Sequence, residues 1–348
     1  MGALLVPRLL AEGHEVRALA RDPARAQAAL AAQLMRDRGV LDGDTPGGAV
    51  AAEDTHGELR LEVVRGDVLH GDGLGEALDG VDVAYYLIHS MESPASAGAA
   101  EDDLPAGQDV GAGDQQLANL PFPERERIGA TRFADAAREA GLARVVYLGG
   151  LTPTDWQPSR HLASREAVER ILLDSVPDSL ALRSSIVIGA GSRSFRLLVR
   201  LVERMPVLAL PRWSRYSTQP IDGRDLVAML IRAADLTGVP SRVIEVAGPE
   251  VLTYGQMMER IADTMLVRRR QLRLGLDMTG LSARVAAAIT AEDPELTVSL
   301  MGALKGDLVP STDAVEAASL FGVHLHSFDA AVEHALREWE TVDSLAAR

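Results

Sequence analysis

The feature that most constrains this chain is a regular alternation of helix-like and strand-like segments over residues 1–190. Apolar residues at helical spacing in GALLVPRLLAEG precede the strand-like EVRALAR, and the same order repeats along the chain with short links. Such an alternation is typical of a doubly wound parallel sheet, because each helix crosses one face of the sheet between two parallel strands. The apolar run VDVAYYLI suits a strand that helices cover on both faces. We therefore predict an α/β fold.

Two segments interrupt the alternation, and a less regular portion follows it. Residues 38–58 and 92–120 are rich in small and acidic residues without periodicity, which predicts loop insertions. Beyond residue 190 helical patterns dominate, with Thr253 placed to cap one helix, and residues 266–348 look mainly helical. The sequence thus predicts a sheet domain at residues 1–190 and a smaller, mainly helical lobe at residues 191–348.

The composition excludes several classes of function. The formal net charge is -15 and aromatic residues make up 4%, so neither a phosphate-binding surface nor a base-stacking surface for nucleic acid is expected. The chain has no Cys, which excludes disulfides and thiolate metal sites, and His324 and His326 lack a third ligand, so we predict no metal site. No stretch approaches the roughly 18 to 20 apolar residues of a membrane span, and no signal-peptide pattern is visible. We expect a cytoplasmic location.

Seven segments follow one another in a recognisable order: GALLVPRLLAEGHEVRALARDPAR, VVRGDV, VDVAYYLIHSM, RVVYLGGL, LRSSIVIGAGS, QPIDGRDL and EVAGPEVLTYGQMM. This series resembles the extended and atypical short-chain dehydrogenase/reductases, and within them the NAD(P)H-binding, NmrA-like group often described as nucleoside-diphosphate-sugar epimerase-like. The resemblance covers about residues 1–265. It implies a Rossmann-type sheet that binds a nicotinamide dinucleotide, with a substrate-side lobe beyond residue 190.

The beginning of the chain departs from the pattern of that family. There, a strand and a glycine-rich turn precede the segment that resembles GALLVPRLL, and Gly2 matches the last glycine of the turn. The first strand and the first two glycines are absent. Either the protein carries about 12 to 15 further N-terminal residues, or the chain is a truncation that binds the cofactor poorly. We expect the first, because GALLVPRLLAEGHEV is intact.

The resemblance places the cofactor along the carboxyl ends of the strands. Arg21 and Arg25 follow the strand VRALA, where arginine accommodates the 2′-phosphate of NADP, so we predict NADP(H) in preference to NAD(H). The alternative is that both are ordinary solvated arginines; Asp22 between them is interpreted as a helix cap. The remaining cofactor-binding positions that the resemblance implies are Gly2, Asp67, Val68, Leu87, Ile88, His89 and Arg165.

The catalytic Ser, Tyr and Lys of the family are missing. His161 stands at the Tyr position and Arg165 at the Lys position, while Gly149-Gly150 occupies the Ser position, and the only Lys is Lys305. Arg165 can hold the ribose hydroxyls, but its pKa above about 12 prevents it from carrying a proton. His161, with an ordinary pKa near about 6.5, is the candidate acid or base; the alternative is a polar residue at a helix start.

Three functions remain open on this sequence. The first is an atypical NAD(P)H-dependent oxidoreductase for an unknown small, apolar or carbonyl-bearing substrate. The second is a non-catalytic NADP(H)-binding regulator or assembly factor, which the missing triad favours. The third is a truncated, inactive fragment. The substrate cleft is expected between the carboxyl edge of the sheet and the lobe that carries Arg212, Trp213, Gln219 and Asp225.

Overall fold

A computed structural model describes residues 1–43, 61–88, 117, 119–205, 207–273 and 305–341. Helices and strands alternate in its first half. In chain order these elements are α1 (Gly2–Ala11), β1 (Val16–Ala20), α2 (Pro23–Gly43), β2 (Leu61–Arg65), α3 (Leu74–Leu78), β3 (Val83–Tyr86), α4 (Phe122–Glu139), β4 (Arg144–Gly150), α5 (Arg160–Leu173), β5 (Leu180–Ser184) and β6 (Val187–Ile188).

The second half mixes longer helices with short strands. Its elements are α6 (Arg193–Arg204), β7 (Val207–Leu210), a 3-10 turn (Arg212–Arg215), β8 (Ser217–Thr218), β9 (Ile221–Asp222), α7 (Gly223–Asp235), β10 (Arg242–Val246), β11 (Leu252–Thr253), α8 (Tyr254–Thr264), β12 (Arg270–Arg273), α9 (Ala314–Leu320) and α10 (Phe328–Glu340). None of the helices in the described part of the chain is both long enough and apolar enough to cross a membrane.

A parallel sheet with helices on both faces organises the molecule, which confirms the predicted fold class. Four strands pair in the order β10-β5-β4-β3, all parallel, and β1 pairs with β2 in a separate parallel pair. One face of the larger sheet packs against α1 and α7, where Leu5 and Leu226 are buried, and the other packs against α4 and α5, where Phe133 and Leu172 are buried. A third core joins α6, α8 and α10 around Trp339.

The sheet is interrupted between β1 and β3. Val16 and Tyr85 pack against the core on one face, while Leu19 and Ala84 contribute to the core on the other, so β1 and β3 share both layers. Among the described residues, β1 nevertheless pairs only with β2, and β3 only with β4.

The ends of several elements follow the predicted chemistry. Gly13, at φ +89°, adopts the left-handed conformation just after α1, which a residue without Cβ adopts at no steric cost. Asp22 accepts a hydrogen bond from the backbone N–H of Arg25 and caps α2. Thr253 caps α8 in a reciprocal capping box with Gln256, so that two backbone N–H groups are satisfied.

The structure corrects three expectations from the sequence, and part of the first falls on residues that the structure does not describe. Helix α2 extends to Gly43, so residues 38–43 are helical; residues 44–60, 89–116 and 118 lie outside the described part of the chain. Residues 270–273 form a strand in a region expected to be mainly helical, because they pair in parallel with Val207–Leu210. Strand β10 lies beyond residue 190 and joins the main sheet, so the predicted boundary does not separate the sheet from the lobe. The domain division itself stays a prediction.

Candidate functional site

A cavity of about 780 Å³ opens at the carboxyl ends of the central strands. Leu87 follows β3, Gly150 ends β4 and Ser185 follows β5, and all three line it. The first turn of α1, with Ala3 and Leu4, forms another wall. Open parallel sheets bind their ligands at this edge, because the connecting loops diverge there and leave a crevice.

Two predicted catalytic residues meet in this cavity. Ser159 caps α5, accepting a hydrogen bond from the backbone N–H of Leu162, and thereby sets the start of the helix. His161 and Arg165 then lie one turn apart on the same face, and both line the cavity. The Nε of Arg165 donates a hydrogen bond of 2.9 Å to Nε2 of His161. Their pairing follows directly from the four-residue spacing.

The environment of His161 changes its protonation. Burial, together with the positive charge of Arg165, lowers the pKa of His161 from its ordinary 6.5 to about 3. The imidazole is therefore neutral at physiological pH. Because Nε2 accepts the hydrogen bond from Arg165, the ring proton resides on Nδ1. The ring therefore carries one hydrogen, on Nδ1, and it is a much weaker base than an exposed imidazole.

Arg165 is held beside buried acceptors. Burial lowers the pKa of its guanidinium, while Tyr147 and Glu126 act in the opposite direction. Glu126 is itself buried and accepts a 2.6 Å hydrogen bond from the hydroxyl of Ser164. A guanidinium stays protonated in proteins, so Arg165 places a fixed positive charge behind His161.

Gly149 and Gly150, which stand at the family's Ser position at the end of β4, have different surroundings. A Cβ added to Gly149 would lie 3.0 Å from the ring of Tyr147, tighter than ordinary contacts, whereas a Cβ on Gly150 would meet Leu162 at an ordinary 3.8 Å. The ring of Tyr147 therefore occupies the space next to Gly149. Gly149 and Gly150 therefore present only backbone to the cavity.

The residues predicted to bind the cofactor are spread over a wider area than the cavity. Arg21 and Arg25 are exposed beyond the end of β1 and do not line it. The carboxylate of Asp67 accepts from the backbone N–H of Leu69 at 2.7 Å and lies 3.2 Å from Nδ1 of His70. Leu87 and Arg165 line the cavity, as do the neighbours of Gly2 in α1. Val68 packs against α4, Ile88 is 41% exposed, and His89 lies outside the described residues.

The four residues predicted for the substrate cleft do not line the cavity. Arg212 is exposed, and Trp213 is buried with its ring 6.2 Å from that of Tyr254, which does line the cavity. Gln219 donates from Nε2 to the carbonyl oxygen of Gly248 at 2.6 Å. Asp225 is buried and accepts from the backbone and the ring of His326 at 2.8 and 2.5 Å. Trp213, Gln219 and Asp225 are thus engaged in contacts with neighbouring segments of the chain.

Other cavity residues were not singled out from the sequence. Tyr254 lies at the start of α8, and burial raises its pKa to about 12, so its hydroxyl is protonated. Ser185 donates its hydroxyl proton to the backbone oxygen of Gln219. Trp339 reaches the cavity from α10 near the end of the described chain. No local motif marks these residues, because only the packing of distant helices brings them to the sheet.

Comparison with known proteins identifies the fold. No known protein-family profile matches the chain. Curated relatives include NADH dehydrogenase (ubiquinone) 1 alpha subcomplex subunit 9, mitochondrial, from Dictyostelium discoideum, 22% identical over 151 residues that cover 43% of this chain and 41% of that protein. The Arabidopsis thaliana protein of the same name is 24% identical over 163 residues, 46% of this chain and 40% of that protein. The chain therefore spans about two fifths of the length of these relatives.

Solved structures match over nearly the whole chain. The NADPH-dependent quinone oxidoreductase QOR2 of Escherichia coli, complexed with NADPH, has a TM-score of 0.60 at 19% identity and covers 96% of this chain and 95% of its own. A nucleoside-diphosphate-sugar epimerase from Staphylococcus aureus has a TM-score of 0.63 at 11% identity, with 95% of each chain covered. The Bordetella bronchiseptica enzyme WbmH, in complex with NAD+, has a TM-score of 0.58 at 14% identity and covers 98% and 95%. The predicted likeness to NAD(P)-binding short-chain dehydrogenase/reductases is thus confirmed for the fold.

Proposed function

We propose that this protein binds a nicotinamide dinucleotide, NADP(H) in preference to NAD(H), at the carboxyl edge of the sheet, and that it works as a binding protein without a proton-transferring side chain. One observation carries the second half of the proposal. The pair that replaces the family's Tyr and Lys is a neutral imidazole and a guanidinium, and neither delivers a proton near neutral pH.

The cavity fits the nicotinamide half of such a cofactor. Its volume of about 780 Å³ lies within the range of cofactor and ligand pockets, and Gly150 leaves the end of β4 open to a ring. Arg165 supplies fixed positive charge for the ribose hydroxyls, and the first turn of α1 supplies the positive end of a helix for the phosphates. A bound nicotinamide would supply hydride transfer; the chain's own residues bind and orient it.

The preference for NADP(H) rests on charge beyond the end of β1. Arg21 and Arg25 are both exposed there, with Asp22 between them engaged in capping α2. NAD-binding proteins usually have an acidic residue here that binds the 2′-hydroxyl of the ribose, but Asp22 is occupied by capping. Arg21 and Arg25 instead offer two positive charges that suit a 2′-phosphate.

The names of the curated relatives favour a role for this binding protein within a larger protein assembly. Both curated relatives are named as subunits of NADH dehydrogenase and as mitochondrial. We propose by analogy that this chain is a cofactor-binding regulator or assembly factor whose bound dinucleotide stabilises its fold. Its location then follows that of its partner, and the cytoplasmic expectation stays a prediction.

A second candidate function is the reduction of an apolar carbonyl compound. Leucines make up much of the cavity wall, together with Ile186 and Val187, and Tyr254 lies beside them with a protonated hydroxyl. The Escherichia coli protein with the same fold is named as an NADPH-dependent quinone oxidoreductase. An acceptor of this kind can take its proton from water after hydride transfer, so it does not require a titrating side chain in the site.

Calorimetric titration with NADPH and NADH tests the proposal. We expect NADPH to bind at least about tenfold more tightly, and the double change R21A/R25A to remove this preference while the binding of NADH is kept. Arg242→Ala, at an exposed position at the opposite end of the sheet, is the matched control and should leave both affinities unchanged. Equal affinities in the unaltered protein would overturn the preference, and no binding of either dinucleotide would overturn the function.

Spectrophotometric assays of NADPH oxidation separate the two candidates. Under the binding-protein proposal, a panel of quinones, aldehydes and ketones gives no oxidation above the rate of free NADPH. Turnover that is saturable in a quinone would instead establish the oxidoreductase.

A further inference from the structure

Leu266 is held in a backbone conformation that leucine adopts only at a cost. It follows the residue that ends α8, at φ +57°, and among the described residues it is the one non-glycine with a positive φ. Glycine is the usual residue at this position, because it has no Cβ to clash. The leucine side chain is nevertheless 91% exposed, more than any other large apolar side chain in the described part of the chain. The turn thus displays an apolar group where both backbone strain and water oppose it.

Alternate residues fix the orientation of this turn. Met265 is buried, and Val267 packs against the core that joins α6, α8 and α10. Arg269 donates from Nε and Nη2 to two carbonyl oxygens in the last turn of α6, at 2.9 and 2.8 Å, which ties the turn to that helix. The side chains between and after these anchors are exposed: Leu266, Arg268 and Arg270.

The strand pair of β7 and β12 extends the same surface. Arg270 is the register partner of Val207, and Leu272 lies two residues further along the same face of β12. Leu208 and Leu210 point from the opposite face of β7 into the core, whereas Val207 and Leu272 are 41% and 55% exposed. We call this surface the basic-apolar patch; it consists of Val207, Leu266, Arg268, Arg270 and Leu272.

The basic-apolar patch is locally positive although the chain as a whole is acidic. Four arginines and no acidic residue fall between Asp263 and Asp277 in the sequence, whereas the formal net charge of the chain is -15. Exposed charges separated by more than about 8 Å are largely screened at physiological ionic strength. An anionic surface that approaches the patch therefore meets mainly its arginines.

An anionic lipid surface suits this combination better than a protein does. At 91% exposure Leu266 projects as a single apolar side chain rather than as part of a contiguous apolar area. Protein interfaces bury a contiguous apolar area at their centre. The interfacial region of a bilayer accepts single apolar side chains, and its lipid phosphates bind guanidinium groups.

We propose that the basic-apolar patch docks this protein on a membrane surface rich in anionic lipid. Leu266 inserts at the boundary between headgroups and acyl chains, and Arg268 and Arg270 bind lipid phosphates. This is peripheral binding, which needs no spanning helix. It goes beyond the proposed dinucleotide site and is independent of it, because none of the five patch residues lines the cavity.

Sedimentation of the full chain with lipid vesicles tests the docking. We expect binding to vesicles of equal parts phosphatidylcholine and phosphatidylglycerol, no binding to phosphatidylcholine alone, and dissociation as salt is raised. Removing two charges in Arg268→Gln/Arg270→Gln should weaken binding about thirtyfold, and Leu266→Asn should weaken it about tenfold.

Two matched controls accompany these variants. Arg138→Gln/Arg170→Gln removes the same charge from exposed positions on α4 and α5, and Val251→Asn removes another exposed apolar side chain. Neither should change vesicle binding. The proposal is overturned if the unaltered protein does not bind anionic vesicles, or if the controls lose as much binding as the patch variants.

Leu266→Gly separates membrane binding from stability. Glycine adopts φ +57° without a clash, so the melting temperature should stay the same or rise while vesicle binding falls. A lower melting temperature with vesicle binding retained would show that the leucine serves the fold, against the proposal.

The absence of Cys allows a label at one chosen position. Leu266→Cys carrying a polarity-sensitive nitrobenzoxadiazole dye should shift its emission to shorter wavelength when anionic vesicles are added. The same dye on Val251→Cys should not shift. An unshifted spectrum at position 266 would contradict insertion.

Two further measurements separate this proposal from its neighbours. If poly-glutamate binds at the patch and vesicles do not, the partner is an acidic protein and the membrane proposal fails. Arg268→Gln/Arg270→Gln should bind NADPH as the unaltered protein does. If NADPH does not bind, but vesicle binding is present and is lost in that variant, the dinucleotide proposal fails and the membrane surface stands.

Discussion

At the scale of single residues, His161 shows how burial converts one side chain into a different chemical group. Its residue type predicts an acid or base that titrates near neutral pH. The folded chain buries it beside the guanidinium of Arg165, and its pKa falls to about 3. What remains is a neutral donor with a defined tautomer. Near neutral pH the same residue is therefore a neutral ring and not the titrating acid or base that its residue type suggests.

The lowered pKa of His161 predicts a specific pH dependence of stability. The unfolded chain binds a proton at this residue below about pH 6.5, whereas the folded chain does so only near pH 3, so folding stability falls as the pH drops from 6.5 towards 3. Relative to His161→Phe, the unaltered protein should lose roughly 3 kcal/mol of unfolding free energy between pH 6.5 and pH 4. Urea denaturation at a series of pH values measures this difference.

His324→Gln provides the control for that measurement, because His324 is exposed. Its stability curve should run parallel to that of the unaltered protein. Parallel curves for His161→Phe and the unaltered protein would show that His161 is solvated, and would remove the basis for its neutral form.

At the scale of elements, most boundaries follow from local chemistry that is readable in the sequence. Gly13 follows the end of α1, Asp22 caps α2 and Thr253 caps α8, in each case through a backbone conformation or a capping bond that involves neighbouring residues only. Strand β12 escaped prediction because Arg270–Arg273 becomes extended by pairing with Val207–Leu210, more than sixty residues earlier in the chain. Local propensity carries no information about such a partner.

The junction of β9 and β10 predicts a strict requirement for glycine. A Cβ at Gly248 would collide with the carbonyl oxygen of Pro220, a backbone atom that cannot move independently. Gly248→Ala should therefore destabilise the protein by about 3 kcal/mol or more, since the backbone must shift to relieve the overlap. Thermal denaturation followed by circular dichroism measures the loss.

Gly75→Ala in α3 is the matched substitution, because a Cβ there meets nothing within 4 Å and the residue is helical. It should leave the melting temperature unchanged or raise it slightly, as alanine favours the helix. An equally small effect at Gly248 would contradict the close approach of the two segments.

At the scale of the whole molecule, β1 and β3 each have one unpaired edge in the described part of the chain, where the sheet is interrupted, although the same layers of helices cover both strands. Each of these strands pairs on one side only among the described residues, whereas β4 pairs on both. Backbone N–H groups on a parallel strand point alternately to the two sides. About half of the amides of β1 and β3 therefore face the interruption.

Hydrogen exchange followed by NMR tests this arrangement. Alternate amides of Val16–Ala20 and Val83–Tyr86 should exchange rapidly, while those of Arg144–Gly150 should all be protected. Strand β4 serves as the internal control in the same sample. Uniform protection of β1 and β3 would mean that a further strand pairs with both edges.

The site illustrates where prediction from sequence stops. The pairing of His161 with Arg165 was predictable, because a spacing of four residues places both on one helical face. The roles of Arg212, Trp213, Gln219 and Asp225 as cleft residues were expected from their place in the chain, but none of them lines the cavity. Tyr254 and Trp339 do line it, and they come from α8 and α10, whose approach to the sheet depends on the packing of a separate core.

The sequence by itself determined the fold class, the alternation of helices and strands over residues 1–190 and the presence of the His161 and Arg165 pair, because periodicity, capping and helical spacing are properties of neighbouring residues. Only the tertiary structure decided that β10 completes the main sheet, that the sheet opens between β1 and β3, and that His161 is neutral with its proton on Nδ1. Each of these depends on which distant segments pack together, since strand pairing and desolvation arise only when residues far apart in the chain meet.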